Sequence, residues 1–402
     1  MPETSLRHVI INHENYFGPL MSGSIWLPVR ILQISSARAF GGGERHLVDL
    51  TRALHARGHQ VYAGLAPRSP LRASLDTLPA ENIFTLPLRN SLDLGSAIKL
   101  SRILRERRIE IVHAHMARDY PLAALAARIT SGVRLVITRH VLFPLGRVHA
   151  LTFSRAARVV AVSEAVAQAL RSQNLFPNNR LRVIPNGVEL SRFNVQGGDV
   201  HRRKWRERFG AAYLIGIVGE LSRVKGQEDF VRAAAIVTRA CAVPVHFLIV
   251  GEDKSPAGEE RARILQLIAD LRLTDHVHLL GRLDGDALLS ILSSLDVFVS
   301  ASRSEAFGLA TVEAMAAGAA VVATATAGAS EIISDGVTGR IVPVGDSPTM
   351  ATAILELLRD EGARQRLGTE ARAMVSCRYK LDRMVAETER VYCEALEDQR
   401  EG

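Results

Sequence analysis

The sequence predicts an α/β protein of two domains, each built on a parallel sheet that helices cover on both faces. Short apolar runs alternate with helical stretches along most of the chain, and this alternation is typical of parallel sheets. The length of 402 residues favours two or three domains. A polar stretch at residues 194–199 separates two series of strands and is the best candidate for a linker.

The composition is that of an ordinary globular protein, with 47% hydrophobic and 23% charged residues. No apolar run reaches the ~18 residues that a membrane span needs, and the start of the chain lacks the pattern of a signal peptide. The cysteines Cys241, Cys377 and Cys393 have no metal-binding spacing and favour a reducing compartment. We therefore expect a cytoplasmic protein.

Positive charge is concentrated in the first half of the chain. Residues 1–195 contain 25 Lys and Arg against 12 Asp and Glu, a net of +13; the rest contains 25 against 30, a net of −5, and the two sum to +8. A basic, amphipathic helix is predicted at residues 99–108 and carries Arg102, Arg105, Arg107 and Arg108. This surplus indicates either an anionic partner for the first half or arginines that merely cover helix surfaces.

The first domain is predicted at residues 29–195. Residues 1–28 show no clear periodicity and form either a disordered leader or an extension from a start placed too early, with Met21 the true beginning. Apolar runs predict strands at 29–34, 60–65, 83–88, 110–113, 134–138 and 158–162.

The loop after the first strand is rich in glycine. Gly41, Gly42 and Gly43 precede a helix that starts at Glu44, which is either a nucleotide-binding turn or a plain tight turn. A dinucleotide fingerprint is excluded, because His46 stands where its third glycine belongs.

Histidines follow two of the predicted strands, at the edge where open α/β sheets bind ligands. His113 and His115 end one strand and His140 follows another. No third ligand accompanies the first two at a metal-binding spacing, so we predict no metal site here.

The second domain is predicted at residues 196–378, with strands at 213–218, 245–250, 277–280, 296–300 and 320–323. Arg223 and Lys225 lie on the loop after its first strand, and both are cations suited to a diphosphate; a solvated surface pair is the alternative. Asp284 and Asp286 match an Asp-x-Asp metal motif but precede a helical stretch, so we expect helix capping instead.

The strand at 296–300 leads into a helix that begins near Gly308 and ends at Gly318. The free N–H groups and dipole of a helix start favour an anion, and Gly308 lets a ligand approach closely. Glu305 lies just outside this site and Glu313 lies roughly 7.5 Å along the axis. A nucleotide sugar has a matching shape, although two glutamates eight residues apart also occur by chance.

Several motifs resemble those of the retaining glycosyltransferases of family four, also called glycosyl transferases group 1. Glu305, Phe307, Gly308 and Glu313 resemble the family's E-x7-E signature, and Thr138-Arg139-His140 is similar to its Thr-x-His segment. Residues 41–44 resemble the family's N-terminal glycine loop, and residues 185–188 resemble its hinge-proximal Pro-Asn-Gly-Val segment. Residues 223–226 resemble its Arg-x-x-Lys-Gly segment, with the arginine one residue nearer to the lysine, and residues 326–333 resemble the segment beside the nucleobase.

This resemblance implies a GT-B fold, in which two Rossmann-like domains face a central cleft. The second domain would bind the donor and the first the acceptor, and the last helix, at 379–402, would cross back to the first domain. His140 and Glu305 would be catalytic, and residues 141–146 would border the acceptor. The implied donor-binding residues are Gly42, Gly43, Arg223, Lys225, Glu305, Phe307, Gly308, Leu309 and Glu313.

The function that the resemblance implies is hexosyl transfer with retention, without a metal or a cofactor. The donor would be UDP- or GDP-linked, since the motifs do not distinguish the two, and the acceptor a glycan or lipid-linked molecule of the cell envelope. Attachment to an anionic membrane surface on the inner face of the cell membrane is expected, and a nucleic-acid partner is not. A nucleotide-sugar epimerase or hydrolase, or a scaffold without activity, remains the alternative on the same fold.

Overall fold

The computed structural model describes residues 28–91, 93–146, 149–193 and 198–397. The predicted leader therefore lies outside the described residues except for Pro28, and so does the predicted domain boundary after Val195.

The first sheet has seven parallel strands in the order β3-β2-β1-β4-β5-β6-β7. Its central strands are almost wholly buried, which explains why they read as apolar runs without alternation. Its last strand was not predicted. The strands are β1 Arg30–Ser35, β2 Gln60–Leu65, β3 Ile83–Thr85, β4 Ile111–Ala114, β5 Arg134–Arg139, β6 Arg158–Ala161 and β7 Leu181–Val183.

The second sheet has six parallel strands in the order β10-β9-β8-β11-β12-β13, so the predicted α/β class with two parallel sheets is confirmed. Its strands are β8 Tyr213–Val218, β9 Val245–Val250, β10 Val277–Gly281, β11 Val297–Ser300, β12 Ala320–Thr324 and β13 Arg340–Val342.

Helices connect successive strands, as parallel pairing requires. The first six are α1 Gly42–Ala56, α2 Leu71–Ser74, α3 Leu94–Glu106, α4 Tyr120–Arg128, α5 His149–Arg155 and α6 Glu164–Ser172. The others are α7 Gly198–Phe209, α8 Gln227–Ala240, α9 Glu259–Asp270, α10 Gly285–Leu292, α11 Leu309–Ala316, α12 Ala327–Ile332, α13 Ser347–Arg359, α14 Glu361–Arg378 and α15 Leu381–Glu397.

Two local predictions fail. Helix α3 ends at Glu106, so Arg107 and Arg108 lie beyond the helix to which they were assigned; Arg108 has a positive φ of 49°, which ends helical geometry. Asp284 occupies the N-cap position of α10, but its side chain makes no capping bond, because it accepts a 2.8 Å hydrogen bond from Arg282 Nε. Within the described ranges, no helix is both long and apolar enough to cross a membrane.

The last helix packs on the first domain. Met384, Val385 and Tyr392 of α15 share a core with leucines of α1. The buried Glu389 carboxylate accepts hydrogen bonds from Arg57 at 2.7 Å and lies 3.0 Å from His59 Nε2. Two segments distant in sequence thus complete one face of the first sheet.

The strand orders place a crevice at the same position in both sheets. The chain reverses its direction of travel between β1 and β4 in the first sheet and between β8 and β11 in the second. Ligands of open α/β sheets bind at such switch points, beyond the carboxyl ends of the strands. The glycine loop, the Lys225 loop and the Glu305 loop follow three of these four strands.

Candidate active site

A cleft of about 680 Å³ lies between the carboxyl edges of the two sheets. Nearly all of the predicted site residues line it. From the first domain these are Gly42, Gly43 and His140, and from the second Lys225, Glu305, Phe307, Gly308, Leu309 and Glu313.

Close backbone packing brings the Lys225 loop against the Glu305 loop. Gly226 has a φ of +69°, and a Cβ there would lie 2.0 Å from the carbonyl oxygen of Ala301, so only glycine permits this approach. The backbone N–H of Arg303 donates to the Val224 carbonyl at 2.7 Å. The Arg303 guanidinium also forms two 3.0 Å hydrogen bonds with Asp229. These contacts hold the two loops side by side.

The result is an ion pair at the start of a helix. Lys225 Nζ donates to Glu305 Oε2 at 2.5 Å, and Ser302 Oγ donates to the same oxygen at 3.2 Å. Gly308, with a φ of +104°, caps α11 beside Glu305. The N–H groups that open α11, the ammonium and the carboxylate therefore face one space, an arrangement that suits a phosphate group joined to a hydroxyl-bearing ring.

Glu313 is engaged from the other side of the cleft. Its carboxylate lies 3.7 Å from Arg45 Nη2, and Arg45 belongs to α1 of the first domain. Burial raises the pKa of Glu313, and the nearby Arg45 and Arg192 oppose that rise. The second-domain wall thus contains a carboxylate that a cation of the opposite domain partly compensates.

Four histidines form a cluster at the first-domain wall. His115 and His140 line the cleft, and His46 and His113 pack against their rings. The charged residues that also line this wall are Glu44, Arg45, Arg118 and Arg139. The ring centroids of His113 and His115 are 4.2 Å apart, and those of His46 and His140 are 4.8 Å apart. His140 also packs on Gly43, where a Cβ would lie 3.4 Å from its Cγ. The glycine loop therefore leaves room for the imidazole.

Burial keeps these imidazoles neutral. Desolvation lowers the pKa of His46 to about 4. The amide of Asn186 approaches the ring and opposes this decrease, although the two do not form a well-aligned hydrogen bond. Desolvation also lowers the pKa of His113, His115 and His140 well below the ordinary value, and the neighbouring histidines add to the effect.

His46, His115 and His140 offer ring nitrogens that lie within 4.8 Å of one another, a group that could hold a metal ion. This group differs from the pair His113 and His115 that was considered in the sequence, because α1 brings His46 to His115 and His140 from a different part of the chain. The absence of a metal site stays a prediction. Neutral imidazole is the form that binds metals. The 3.3 Å contact between His115 Nδ1 and His140 Nε2 shows that these two rings already bond to each other.

Arg223 is the one predicted site residue that the structure separates from the others. It lines a neighbouring surface pocket with Glu228, Glu260 and Arg263 instead of the cleft. The segment at 326–333, predicted to lie beside a nucleobase, packs against the Glu305 loop, and the Gly328 N–H donates to the Glu305 carbonyl at 3.0 Å. The Glu331 carboxylate accepts hydrogen bonds from the backbone N–H groups of Glu164 and Ala165, at the start of α6.

Arg45 and Lys254 are cleft cations that the sequence did not reveal as site residues. Arg45 was placed in the helix that starts at Glu44 without a role, and Lys254 was not considered. Lys254 Nζ donates to Glu220 Oε2 and to the Phe40 carbonyl, both at 2.9 Å, and so bridges the domains. Its place shortly after β9, at the ligand-binding edge of the sheet, is the signal that could have revealed it.

Comparison with known proteins gives matches along most of the chain. Residues 40–192 match the family model described as Glycosyltransferase Family 4, and residues 201–374 match Glycosyl transferases group 1. The N-acetyl-alpha-D-glucosaminyl L-malate synthase of Bacillus anthracis is 27% identical, over 88% of this chain and 94% of its own.

A second relative and a solved structure agree with this. The D-inositol 3-phosphate glycosyltransferase of Salinispora arenicola is 29% identical, over 71% of this chain and 69% of its own. The crystal structure of Anabaena HepE with UDP and glucose has a TM-score of 0.80 and 22% identity, covering 90% of this chain and 98% of that one. This likeness establishes the GT-B fold.

Proposed function

Because the chain belongs to the glycosyl transferases group 1 family and is therefore a glycosyltransferase with a nucleotide-sugar donor, we propose that it transfers a hexose, with retention of anomeric configuration, to an anionic acceptor. The observation that carries the proposal is the Lys225–Glu305 pair at the start of α11, inside a cleft that both domains line.

The second domain holds the donor in this proposal. Lys225 and the N–H groups that open α11 bind the diphosphate and stabilise the negative charge that grows on it as the glycosidic bond breaks. Glu305, adjacent to both, orients the hydroxyls of the transferred sugar. Glu313 binds the ribose hydroxyls and exchanges its contact with Arg45 for them. Arg223 has no part in this site.

The first domain supplies the acceptor site. His140 faces the transferred sugar, and Gly42 and Gly43 leave space beside it. Arg118 and Arg139 line the same part of the cleft, and Arg118 is exposed there. The malate and inositol phosphate in the names of the two relatives are both anionic, which supports an acceptor with negative charge.

The transfer needs no metal in this proposal, since Lys225 and the helix start supply the positive charge at the diphosphate. Full activity in excess EDTA is the expected result. Loss of activity in EDTA that returns with one divalent cation would show that the charge comes from a metal instead.

We place the protein in the cytoplasm, at the inner face of the cell membrane. The first domain is basic, and it exposes large apolar side chains, with Leu94 and Ile98 of α3 63% and 64% exposed and Phe143 70% exposed. Basic residues near an anionic leaflet contribute about 1 kcal/mol each. An envelope glycolipid or polysaccharide precursor would be presented at such a surface.

The decisive experiment follows a radiolabelled donor. Thermal shift with UDP, GDP, ADP and their sugars first identifies the donor, since a ligand at 100 Kd stabilises the fold by roughly 2.7 kcal/mol. The labelled donor is then incubated with and without anionic acceptors. Label transferred only with an acceptor supports the proposal. An isomerised sugar without acceptor would indicate an epimerase, free sugar a hydrolase, and unchanged donor a scaffold.

A further inference from the structure

A chain of hydrogen bonds runs from the C-terminal helix to the cleft. Gln33 Nε2 of β1 donates to Tyr392 Oη of α15 at 3.4 Å. Gln33 Oε1 lies 2.8 Å from His115 Nε2, and His115 Nδ1 lies 3.3 Å from His140 Nε2. Gln33, His115 and Tyr392 are all buried, so water does not replace these partners.

We propose that Gln33 is a positioning residue that fixes, through His115, the tautomer and the ring orientation of His140, so that His140 has no nitrogen-bound proton to give to a substrate. The catalytic part of this inference rests on the proposed function, whereas the tautomers themselves do not.

The assignment follows from counting donors. A neutral imidazole has one N–H and one acceptor nitrogen. The Gln33 carbonyl oxygen can only accept, so His115 Nε2 carries the proton and its Nδ1 accepts. The partner of that Nδ1 must donate, so His140 Nε2 carries a proton as well. His140 Nδ1 is therefore unprotonated, and this buried atom has no hydrogen-bond partner among the described residues.

A second branch is consistent with this orientation of the Gln33 amide. Tyr392 Oη accepts from Gln33 and lies 2.7 Å from His113 Nδ1, to which it donates. His113 Nε2 then donates to Thr138 Oγ1 at 2.7 Å. A flipped amide would reverse every tautomer along both branches and place an N–H at the buried Nδ1 of His140, where no described residue accepts it; a buried N–H without an acceptor is costly. Burial raises the pKa of Tyr392, which keeps its hydroxyl protonated and able to donate.

The consequence for transfer is a cleft histidine without an available proton. The Nε2–H of His140 is donated to His115, and its Nδ1 is buried and carries no proton. His140 therefore contributes its position and shape to the cleft wall and does not act as a general acid.

The test reads the tautomers directly. Long-range proton–nitrogen correlation NMR of the full chain, labelled with ¹⁵N-histidine and without any donor, distinguishes protonated from unprotonated ring nitrogens. The variants His115→Asn and His140→Asn assign the imidazole signals to these two residues. We expect both residues as single Nε2–H tautomers. A protonated Nδ1 in His140, or a stoichiometric metal ion on these rings by elemental analysis, would overturn the proposal.

Variants separate positioning from structural support. Gln33→Met keeps the volume of the side chain and removes its oxygen, so we expect a mixture of tautomers in both histidines. Tyr392→Phe, which frees the amide to flip, gives the same change more weakly and serves if Gln33→Met does not fold. Gln227→Met alters another buried glutamine outside this network and is the control, with unchanged tautomers. If Gln33→Met folds and the tautomers are unchanged, the inference is contradicted. If only Tyr392→Phe folds, unchanged tautomers in that variant contradict it.

The kinetic readout uses the proposed reaction. Gln33→Met is expected to lower kcat about tenfold with little change in the KM for the donor, as is usual when a supporting hydrogen bond to a functional histidine is lost. An equal loss through KM alone would indicate a binding defect instead. Because the NMR result needs no substrate, it stands or falls separately from the proposed glycosyl transfer.

Discussion

The two walls of the cleft occupy equivalent positions in similar sheets, but they differ in how they handle charge. The first-domain wall contains a cluster of neutral histidines that follow β4 and β5 or lie on α1, beside arginines that also line the cleft. The second-domain wall carries a paired ammonium and carboxylate on the loops after β8 and β11. The same framework therefore gives a neutral hydrogen-bonding cluster on one side and an ion pair on the other.

Burial accounts for this difference. His46, His113 and His115 are buried, where charge is costly, whereas the Lys225 and Glu305 side chains keep 31% and 19% of their exposure. In the proposed function, the partly exposed ammonium of the second domain supplies the fixed positive charge that a diphosphate needs. The buried histidines of the first domain act only as neutral hydrogen-bonding groups.

The largest effect on the transfer rate should come from removing the ammonium group of the second-domain wall. We expect Lys225→Ala to lower the transfer rate about 100- to 1,000-fold with the fold retained, since this is the usual cost of losing one group that stabilises a developing anion. Arg223→Ala is a matched control two residues away, outside the cleft, and should change the rate less than about twofold. Equal losses in both variants would contradict the separation of the two cations.

The carboxylate of the same wall should affect the sugar and not the nucleotide. We expect Glu305→Gln to reduce turnover about 100-fold while the affinity for UDP or GDP, measured by calorimetry, stays within about threefold. If nucleotide affinity collapses with turnover, then Glu305 supports the diphosphate through Lys225 and its assigned role is wrong.

The histidine cluster of the first domain should make the stability of the protein depend on pH. His46 has a pKa of about 4 in the folded protein and an ordinary value of 6.5 when unfolded. The unfolded chain therefore binds more protons in this interval, and stability falls as the pH drops from about 7 towards 4. The loss is about 3 kcal/mol for this residue.

Urea unfolding at pH 7.5 and pH 4 measures that loss. The His46→Asn variant cannot titrate at this position, so its unfolding free energy should fall by about 3 kcal/mol less than that of the parent. Parallel pH profiles for the two proteins would mean that His46 is protonated to the same extent in both states.

The smallest expected effect concerns the outer surfaces of the two domains. We expect the protein to float with anionic vesicles at low salt and to detach at high salt, and Leu94→Ser with Ile98→Ser to weaken binding about tenfold. Val337→Ser, on an exposed part of the second domain, is the control. Absence of binding to anionic vesicles at low salt would remove the proposed membrane contact.

The positions at which the predicted strands end were enough to predict the charged residues of the second-domain wall. Lys225 and Glu305 each follow an apolar strand, and parallel strands bring such loops to one edge. The sequence could not separate Lys225 from Arg223, because both lie on a 3₁₀ turn, where residues two apart point in different directions.

The histidine cluster was only half visible in the sequence. His113, His115 and His140 follow strands, but His46 lies on a helix and reaches them through the packing of α1 on the sheet. The partners Gln33 and Tyr392 were equally hidden, since a buried glutamine in a strand and a tyrosine near the C-terminus have no spacing that connects them. Local patterns predicted the strands well, whereas contacts between distant segments required the fold.

The crossing of α15 onto the first domain has a consequence for how the protein is made. The core face that α1 and α15 share is incomplete until the last residues are synthesised. At about 5–20 residues per second, the roughly 200 residues after the first domain take about 10–40 s to translate. During that time the leucines of α1 lack their final covering. We therefore expect the domain that emerges first from the ribosome to be the last to finish folding, and a chain that ends before residue 381 to be held by chaperones or to aggregate.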